Sequence, residues 1–87
     1  MTQAAQISVQ VRLFASYREA AGTRSLDTPI AAGARVRDLV DLLVERVPAL
    51  RSAPGLIAVN HSYVQPDYVL HDGDEVAFIP PVSGGAV

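Results

Sequence analysis

Two adjacent glycines close to the C-terminus are the most distinctive chemical feature of this sequence. The chain ends Pro80-Pro81-Val82-Ser83-Gly84-Gly85-Ala86-Val87. Glycine has no Cβ, so a carboxylate on a diglycine passes down a narrow tunnel that would reject a larger residue. Pro80 and Pro81 cannot donate backbone hydrogen bonds and favour extended chain, which makes the segment stiff where it leaves the body. Six extended residues, Pro80 to Gly85, reach roughly 20 Å at about 3.3–3.6 Å each. Ser83 has no His or Asp partner in its sequence context and reads as a small residue, not as a nucleophile. For a lone Gly-Gly, the ordinary alternative is a frayed terminus.

The other candidate groups are weaker. His61 and His71 lack a Cys or second His at metal-ligand spacing, so both read as turn residues. Asp72, Asp74 and Glu75 resemble part of a calcium loop, but one glycine and three acids are too few, and a solvated hairpin turn is expected. The chain has no cysteine, so no disulfide holds the fold and no thiol can act as a nucleophile. All seven basic residues are arginine, so no side chain can receive an isopeptide bond. No group looks able to catalyse a reaction alone, and no metal or cofactor site is expected in this chain.

The elements that would position the tail follow from periodicity. Ile7-Ser8-Val9-Gln10-Val11-Arg12-Leu13 alternates strictly and predicts a half-buried strand with Ile7, Val9, Val11 and Leu13 on one face. A loose lead, Met1–Gln6, precedes it. Ala15 to Ala21 predicts one or two helical turns ended by Gly22. Arg24 to Ile30 predicts a second strand, with Leu26, Thr28 and Ile30 on one face and Pro29 at an unpaired position. Val36, Leu39, Val40, Leu43 and Val47 form the apolar stripe of a main helix of roughly three turns, ended before Pro48. Its start lacks Ser, Thr or Asp at the cap and is expected to fray.

Arg51 to Gly55 is a polar connection and Leu56 to Val59 a third strand. Asn60-His61 occupies a tight turn, where Gly would be more comfortable than His. Ser62 to Val64 continues outward, Gln65-Pro66-Asp67 turns, and Tyr68 to Leu70 is a short strand or a loop. Glu75 to Ile79 is the last strand. It puts Val76 and Phe78 inward, and Ala77 and Ile79 outward beside the tail as a candidate docking surface. This order describes one α+β domain, residues 1–87, with a mixed sheet of four to five strands packed on one main helix and residues 80–87 as an extended tail.

Composition excludes several classes. With 87 residues, 49% apolar content and a net charge of −2, a small globular domain is expected, without a basic patch for nucleic acid or anionic membrane. No apolar run approaches the ~20 residues of a membrane span, and no signal peptide is apparent, so a cytoplasmic location is expected.

The run Asp72-Gly73-Asp74-Glu75-Val76-Ala77-Phe78-Ile79-Pro80-Pro81-Val82-Ser83-Gly84-Gly85 resembles the C-terminal signature of the small, sulfur-carrying subunit of molybdopterin synthase. The likeness extends to the thiamin sulfur carrier and, more distantly, to ubiquitin. It also touches Phe14-Ala15-Ser16-Tyr17-Arg18-Glu19-Ala20-Ala21-Gly22 and Val59-Asn60, and so covers roughly Ile7 to Gly85. In that family Gly85 would be the last residue, whereas here Ala86 and Val87 follow it.

The resemblance implies a ubiquitin-like β-grasp fold and a reaction sequence. A ubiquitin-activating-type adenylyltransferase, holding ATP and a metal, would convert the Gly85 carboxylate to an acyl-adenylate. A sulfur donor would then make the thiocarboxylate, and the large synthase subunit would receive the sulfur. Gly85 would be the reacting residue, after a peptidase removes Ala86-Val87. Gly84, Ser83, Val82, Pro81 and Pro80 would give access and aim, while Ile79, Ala77 and Arg18 would meet partners. Three rivals remain open: sulfur delivery for thiamin or cysteine, a protein modifier, and an interaction module without chemistry.

Overall fold

The computed structural model describes residues 5–48, 50 and 56–80. Part of the expected lead, 1–4, the connection 51–55, and the tail residues Pro81, Val82, Ser83, Gly84, Gly85, Ala86 and Val87 lie outside the described residues. Seven elements follow in order: β1 Gln6–Leu13, α1 Ala15–Ala21, β2 Ser25–Ala31, α2 Val36–Leu43, β3 Leu56–Val59, β4 Ser62–Tyr63 and β5 Glu75–Ile79. The strands form one sheet in the order β2-β1-β5-β3-β4. The β1–β5 pair is parallel, and the β1–β2, β3–β5 and β3–β4 pairs are antiparallel. The last strand is therefore the central one.

Strand β1 begins one residue earlier than its alternation predicted. Gln6 pairs with Ala31, and the Ala5 carbonyl accepts from Ala32 N–H, so the lead is shorter than Met1–Gln6. Pro29 is accommodated as expected. It sits on edge strand β2 opposite Ser8, whose N–H donates to Asp72 Oδ1 and whose carbonyl accepts from Gly73 N–H. Because Ser8 directs its backbone groups away from β2, the missing N–H of Pro29 breaks no bond of the sheet.

The inner face of the sheet and the stripe of α2 share one core. Val9, Val11, Leu13, Val76 and Phe78 pack in a single cluster with Val36, Leu39, Leu43, Val44 and Val47. Burying a side chain of the size of Phe78 stabilises the fold by about 1.5–3 kcal/mol. The regular part of α2 has 8 residues, about two turns and not three. After it, Arg46 N–H and Val47 N–H both donate to the Leu43 carbonyl. The chain tightens there ahead of Pro48, which disfavours helical geometry at Val47, yet Val47 remains in the core. No described helix is long and apolar enough to cross a membrane.

The expected fraying of α2 does not occur, because its cap comes from elsewhere. Arg35 N–H donates to Asp38 Oδ2 at 2.8 Å, so the carboxylate at the third helical position stands in for a missing Ser or Thr and also suits the helix dipole. Val36 N–H donates to the Tyr68 carbonyl and Arg37 N–H to the Pro66 carbonyl, both at 2.9 Å. Arg35 Nη1 reaches the Asp67 carbonyl. The segment 66–70 is thus a loop that closes the helix start, touching the strand geometry only in a single bridge between Val69 and Arg35.

The solvated-turn reading holds for Asp72, which is exposed in a turn, and is corrected for Asp74 and Glu75. Asp74 is buried, and its Oδ1 accepts from Asn60 Nδ2 at 2.9 Å while its Oδ2 accepts from His71 N–H at 2.8 Å. Asn60 Oδ1 accepts from Glu75 N–H at 3.0 Å, and the Asp74 carbonyl accepts from Gln10 N–H at 2.8 Å. Asp72 receives the Ser8 N–H, and Glu75 pairs with Arg12 at 2.8 Å. Asn60 and His61 both have positive φ, 51° and 74°, which makes the two-residue hairpin turn between β3 and β4 that their sequence position predicted. These acids hold strands together.

Replacing Asp74 removes a buried carboxylate that accepts two part-buried hydrogen bonds, whereas Asp72 is exposed. Asp74→Ala is expected to lower stability by about 2–3 kcal/mol and Asp72→Ala by about 1 kcal/mol or less. Urea unfolding of both variants checks this, and equal small losses would restore the solvated-turn reading.

Candidate functional site

Strand β5 presents two faces. Val76 and Phe78 point into the core, and Ala77 and Ile79 lie partly exposed on the opposite side. The register places the neighbours of that outer face. Ala77 stands between Arg12 of β1 and Ala58 of β3, Ala58 is followed outward by Tyr63 of β4, and Leu56 faces Ile79. Two alanines thus form a low floor, and larger side chains stand around it. The result is an open concavity of about 360 Å³ lined by Arg12, Phe14, Ala58, His61, Tyr63, Glu75, Ala77 and Ile79.

This face carries most of the exposed apolar bulk of the described residues. Tyr63 is 70% exposed, Leu56 52% and Phe14 43%, and all three belong to the strands or strand end around Ala77 and Ile79. Scattered exposed apolar residues are ordinary, whereas a contiguous apolar group is the kind of surface on which partners dock. Phe14 follows β1 directly and is turned by an unusual backbone, since Ala15 has φ 51°. Left-handed geometry at a residue with a Cβ costs on the order of 1 kcal/mol and tends to gather where function constrains the chain.

The end of the concavity at the start of β5 is polar. Arg12 Nη1 meets Glu75 Oε2 at 2.8 Å, and His61 Nε2 stands 3.6 Å from Glu75 Oε1. These groups are substantially exposed, so the pairing contributes little stability and serves mainly to shape the rim. Pro80, the last described residue, follows Ile79 at the opposite end of β5 and is partly buried. The apolar part of the face, Ile79 with Leu56 opposite it, therefore lies where the chain departs toward Gly85.

The sequence-predicted partner residues divide. Ala77 and Ile79 share the face as expected. Arg18 is exposed on α1 but does not line the concavity. The tail residues Pro81, Val82, Ser83, Gly84 and Gly85 lie outside the described residues. Arg12, Phe14, Leu56 and Tyr63 were not singled out as partner-binding from sequence. A usable signal existed in Leu56-Ile57-Ala58-Val59, which is apolar on both faces of a strand and so implies cover on both sides. Among the described residues no group of three or more His, Cys, Asp and Glu could hold a metal. Tyr17, buried beneath α1, titrates above the ordinary phenol value because burial disfavours phenolate. It lies in the core and takes no part in this face.

A five-stranded mixed sheet packed on one main helix, with β5 at its centre, defines a ubiquitin-like β-grasp domain. The chain belongs to the ThiS family, whose profile matches residues 11–85 and so ends on Gly85. It is 40% identical over 83 residues to the molybdopterin synthase sulfur carrier subunit of Chlamydomonas reinhardtii, covering 91% of this chain and 100% of that one. Its fold is similar to that of a putative molybdopterin converting factor, subunit 1, from Pyrococcus furiosus, with a TM-score of 0.77, 36% identity, and coverage of 87% of this chain and 99% of that one. It is also similar to a chain in a complex of subunits 1 and 2 of the molybdopterin-converting factor from Helicobacter pylori 26695. There the TM-score is 0.60 at 27% identity, with 91% of this chain and 100% of that one covered.

The two faces of β5 make opposite demands on adjacent residues. Phe78→Glu puts a charge into the core and is expected to abolish cooperative unfolding. Ile79→Glu, on the outer face, is expected to change stability by no more than about 1 kcal/mol. Circular dichroism melts of the two variants side by side decide the matter, and comparable loss of structure in both would remove the outer-face assignment.

Proposed function

We propose that this chain is a sulfur carrier in molybdenum cofactor biosynthesis, the small subunit of a molybdopterin synthase, and that it works in the cytoplasm. The observation that carries this reading is similarity over nearly the whole chain to proteins of that name, with the family match reaching Gly85. The Helicobacter pylori complex supports a large-subunit partner. The chain supplies no catalytic group. Its part is delivery, which turns an encounter between a reactive atom and a distant active site into an effectively intramolecular one.

The chemistry belongs to Gly85. An adenylyltransferase of the ubiquitin-activating type joins the Gly85 carboxylate to the AMP portion of ATP and releases pyrophosphate. A sulfur donor then displaces AMP and leaves a thiocarboxylate. The large subunit accepts the sulfur into a precursor pterin, and the Gly85 carboxylate is regenerated. ATP and its metal are held by the activating partner, and this chain binds neither. Gly84 keeps the approach slim, while Ser83, Val82, Pro81 and Pro80 span the distance from the body. Ile79 and Ala77, with Phe14, Leu56 and Tyr63 around them, dock on the large subunit. Arg18 stands apart from that face and meets an acidic group on a partner.

The residues after Gly85 conflict with that chemistry. While Ala86 is attached, Gly85 has an amide carbonyl and no carboxylate to attack ATP. Activating Val87 instead would move the reacting carbon about 7 Å along the chain, at roughly 3.3–3.6 Å per residue. It would also place a β-branched side chain where the tunnel expects none. A displacement of ~1 Å already costs rate in a positioned reaction. The form ending in Val87 is accordingly a precursor, and a peptidase exposes Gly85.

Two measurements test this reading. Ile79→Glu is expected to weaken binding to the cognate large subunit by about 2 kcal/mol, roughly thirtyfold in Kd. Undiminished binding of the folded variant in titration calorimetry would place the contact elsewhere. With the cognate adenylyltransferase and ATP, the form ending at Gly85 should support pyrophosphate exchange and the form ending at Val87 should not. Equal exchange by both would remove the precursor step, and exchange by neither would favour an interaction module without acyl chemistry.

A further inference from the structure

A chain whose own C-terminus becomes an electrophile is endangered by nucleophiles on its own surface. An acyl-adenylate or thioester at Gly85 reacts with a free amine. The nitrogen lone pair forms a C–N bond, the AMP or thiolate leaves with its bonding pair, and the ammonium proton passes to solvent. The amide so formed is a dead end, because no step of a sulfur relay cleaves it. Lysines on a second copy of the carrier would be amines of this kind. Cysteines would be taken in the same way, through thiolate attack and S-acyl transfer.

This chain has seven cationic side chains, all arginine, and no cysteine. At two of them the structure supplies a local reason for a guanidinium. Arg12 Nη1 bonds Glu75 Oε2, and Arg35 Nη1 donates to the Asp67 carbonyl, each at 2.8 Å. Arg18, Arg24, Arg37 and Arg46 are exposed, and their side chains make no hydrogen bond or ion pair among the described residues. At exposed positions lysine serves as well. Its helix propensity is close to that of arginine, and its ammonium is the more strongly hydrated cation. Hydrogen bonding therefore does not decide the residue at these four positions, and all four carry the cation that is not a nucleophile.

We propose that the lysine-free and cysteine-free surface protects the activated C-terminus, making this chain an acyl donor that cannot be acylated on a side chain by a second copy of itself. The inference rests on the sulfur-carrier reading, since it requires a C-terminus that becomes activated. At a given pH lysine presents about a hundredfold more free base than arginine, from side-chain pKa values of about 10.4 and above 12. Exchanging one for the other changes reactivity while leaving charge and fold in place.

Arg24→Lys, Arg37→Lys and Arg46→Lys, singly and together, lie outside the docking face and are suited to the test. Parent and variants are prepared with Gly85 as the thioester of a small thiol and incubated at mildly alkaline pH without any enzyme. In parallel, each free-acid form ending at Gly85 is given the cognate adenylyltransferase and ATP, and pyrophosphate exchange is followed. The parent has one free amine, the α-amino group of Met1, and is expected to form no amide on a side chain. The triple variant is expected to accumulate, in addition, dimers linked through the new lysines at positions 24, 37 and 46, identified as the acceptors by peptide mass. Absence of side-chain-linked dimers in the variants, or their formation at the same rate in the parent, would overturn the proposal. Absence of exchange in every form would count against the activation reading alone, because the thioester arm needs no enzyme and still decides this one.

Discussion

The buried carboxylate of Asp74 is the constraint on which the rest of this structure depends. Strand β5 begins at the next residue and lies between two parts of the chain that do not otherwise pair, the β1–β2 hairpin and the β3–β4 hairpin. Asp74 touches both sides. Its carbonyl accepts from Gln10 of β1 and its side chain accepts from Asn60 of the β3–β4 turn, which in turn receives Glu75 N–H. A carboxylate taken out of water is tolerated only when its oxygens are satisfied, and here the Asn60 amide and the His71 N–H satisfy them. The same bonds set the register of β5 against β1 and β3. A slip of one residue would send Phe78 outward and Ile79 inward. Core, outer face and tail departure thus answer to one placement.

That placement explains why both faces of the central strand are apolar and yet differ. The inner face carries Val76 and Phe78 beneath α2, where size and burial stabilise the domain. The outer face has the alanines 58 and 77 side by side, and a sheet with such small residues at its centre is hollow there. Tyr63, Leu56 and Phe14 stand around the hollow without filling it. A monomer gains nothing from leaving such residues in water, whereas a surface that must fit a partner's side chains gains a recess with an apolar border. The acid–base group Arg12, Glu75 and His61 closes the end away from the tail. A partner is thereby given an orientation as well as a contact.

Much of this was legible because strands announce themselves by alternation, and the domain is mainly strands. The faces of β1, β2 and β5 follow residue by residue, Gly22 ends α1 with φ 76°, and Asn60-His61 forms the expected hairpin turn. What was not legible rests on partners distant in sequence. The cap of α2 comes from Asp38 inside the helix and from carbonyls at 66 and 68, some thirty residues on. The acids at 74 and 75 look like a solvated turn until β1 and Asn60 are brought against them. Arg18 was chosen for its motif position, while Arg12 and Tyr63 become neighbours only through the strand order β1-β5-β3-β4. Local pattern predicts elements, and a site built across four strands needs their order.

The proposed division between face and tail follows from the geometry of a carrier with no catalytic group of its own. Recognition by the tail alone would be weak, since a diglycine offers a partner almost no side-chain surface. Recognition by the face alone would leave the reacting atom unplaced. Joined by six residues that span at most about 20 Å, the two act as a tethered pair. Under the proposed function, docking at Ile79 would raise the local concentration of the tail end near the partner's active site to the millimolar range typical of short linkers. The tether works when its length matches the gap between docking surface and active site, so each residue added or removed shifts the end by about 3.3–3.6 Å. Specificity then resides in the match of that distance to the partner and in the border of the face. On the proposed function, one chemical end would then serve an activating enzyme and a sulfur acceptor in turn, provided both present a recess at the same distance from a complementary surface.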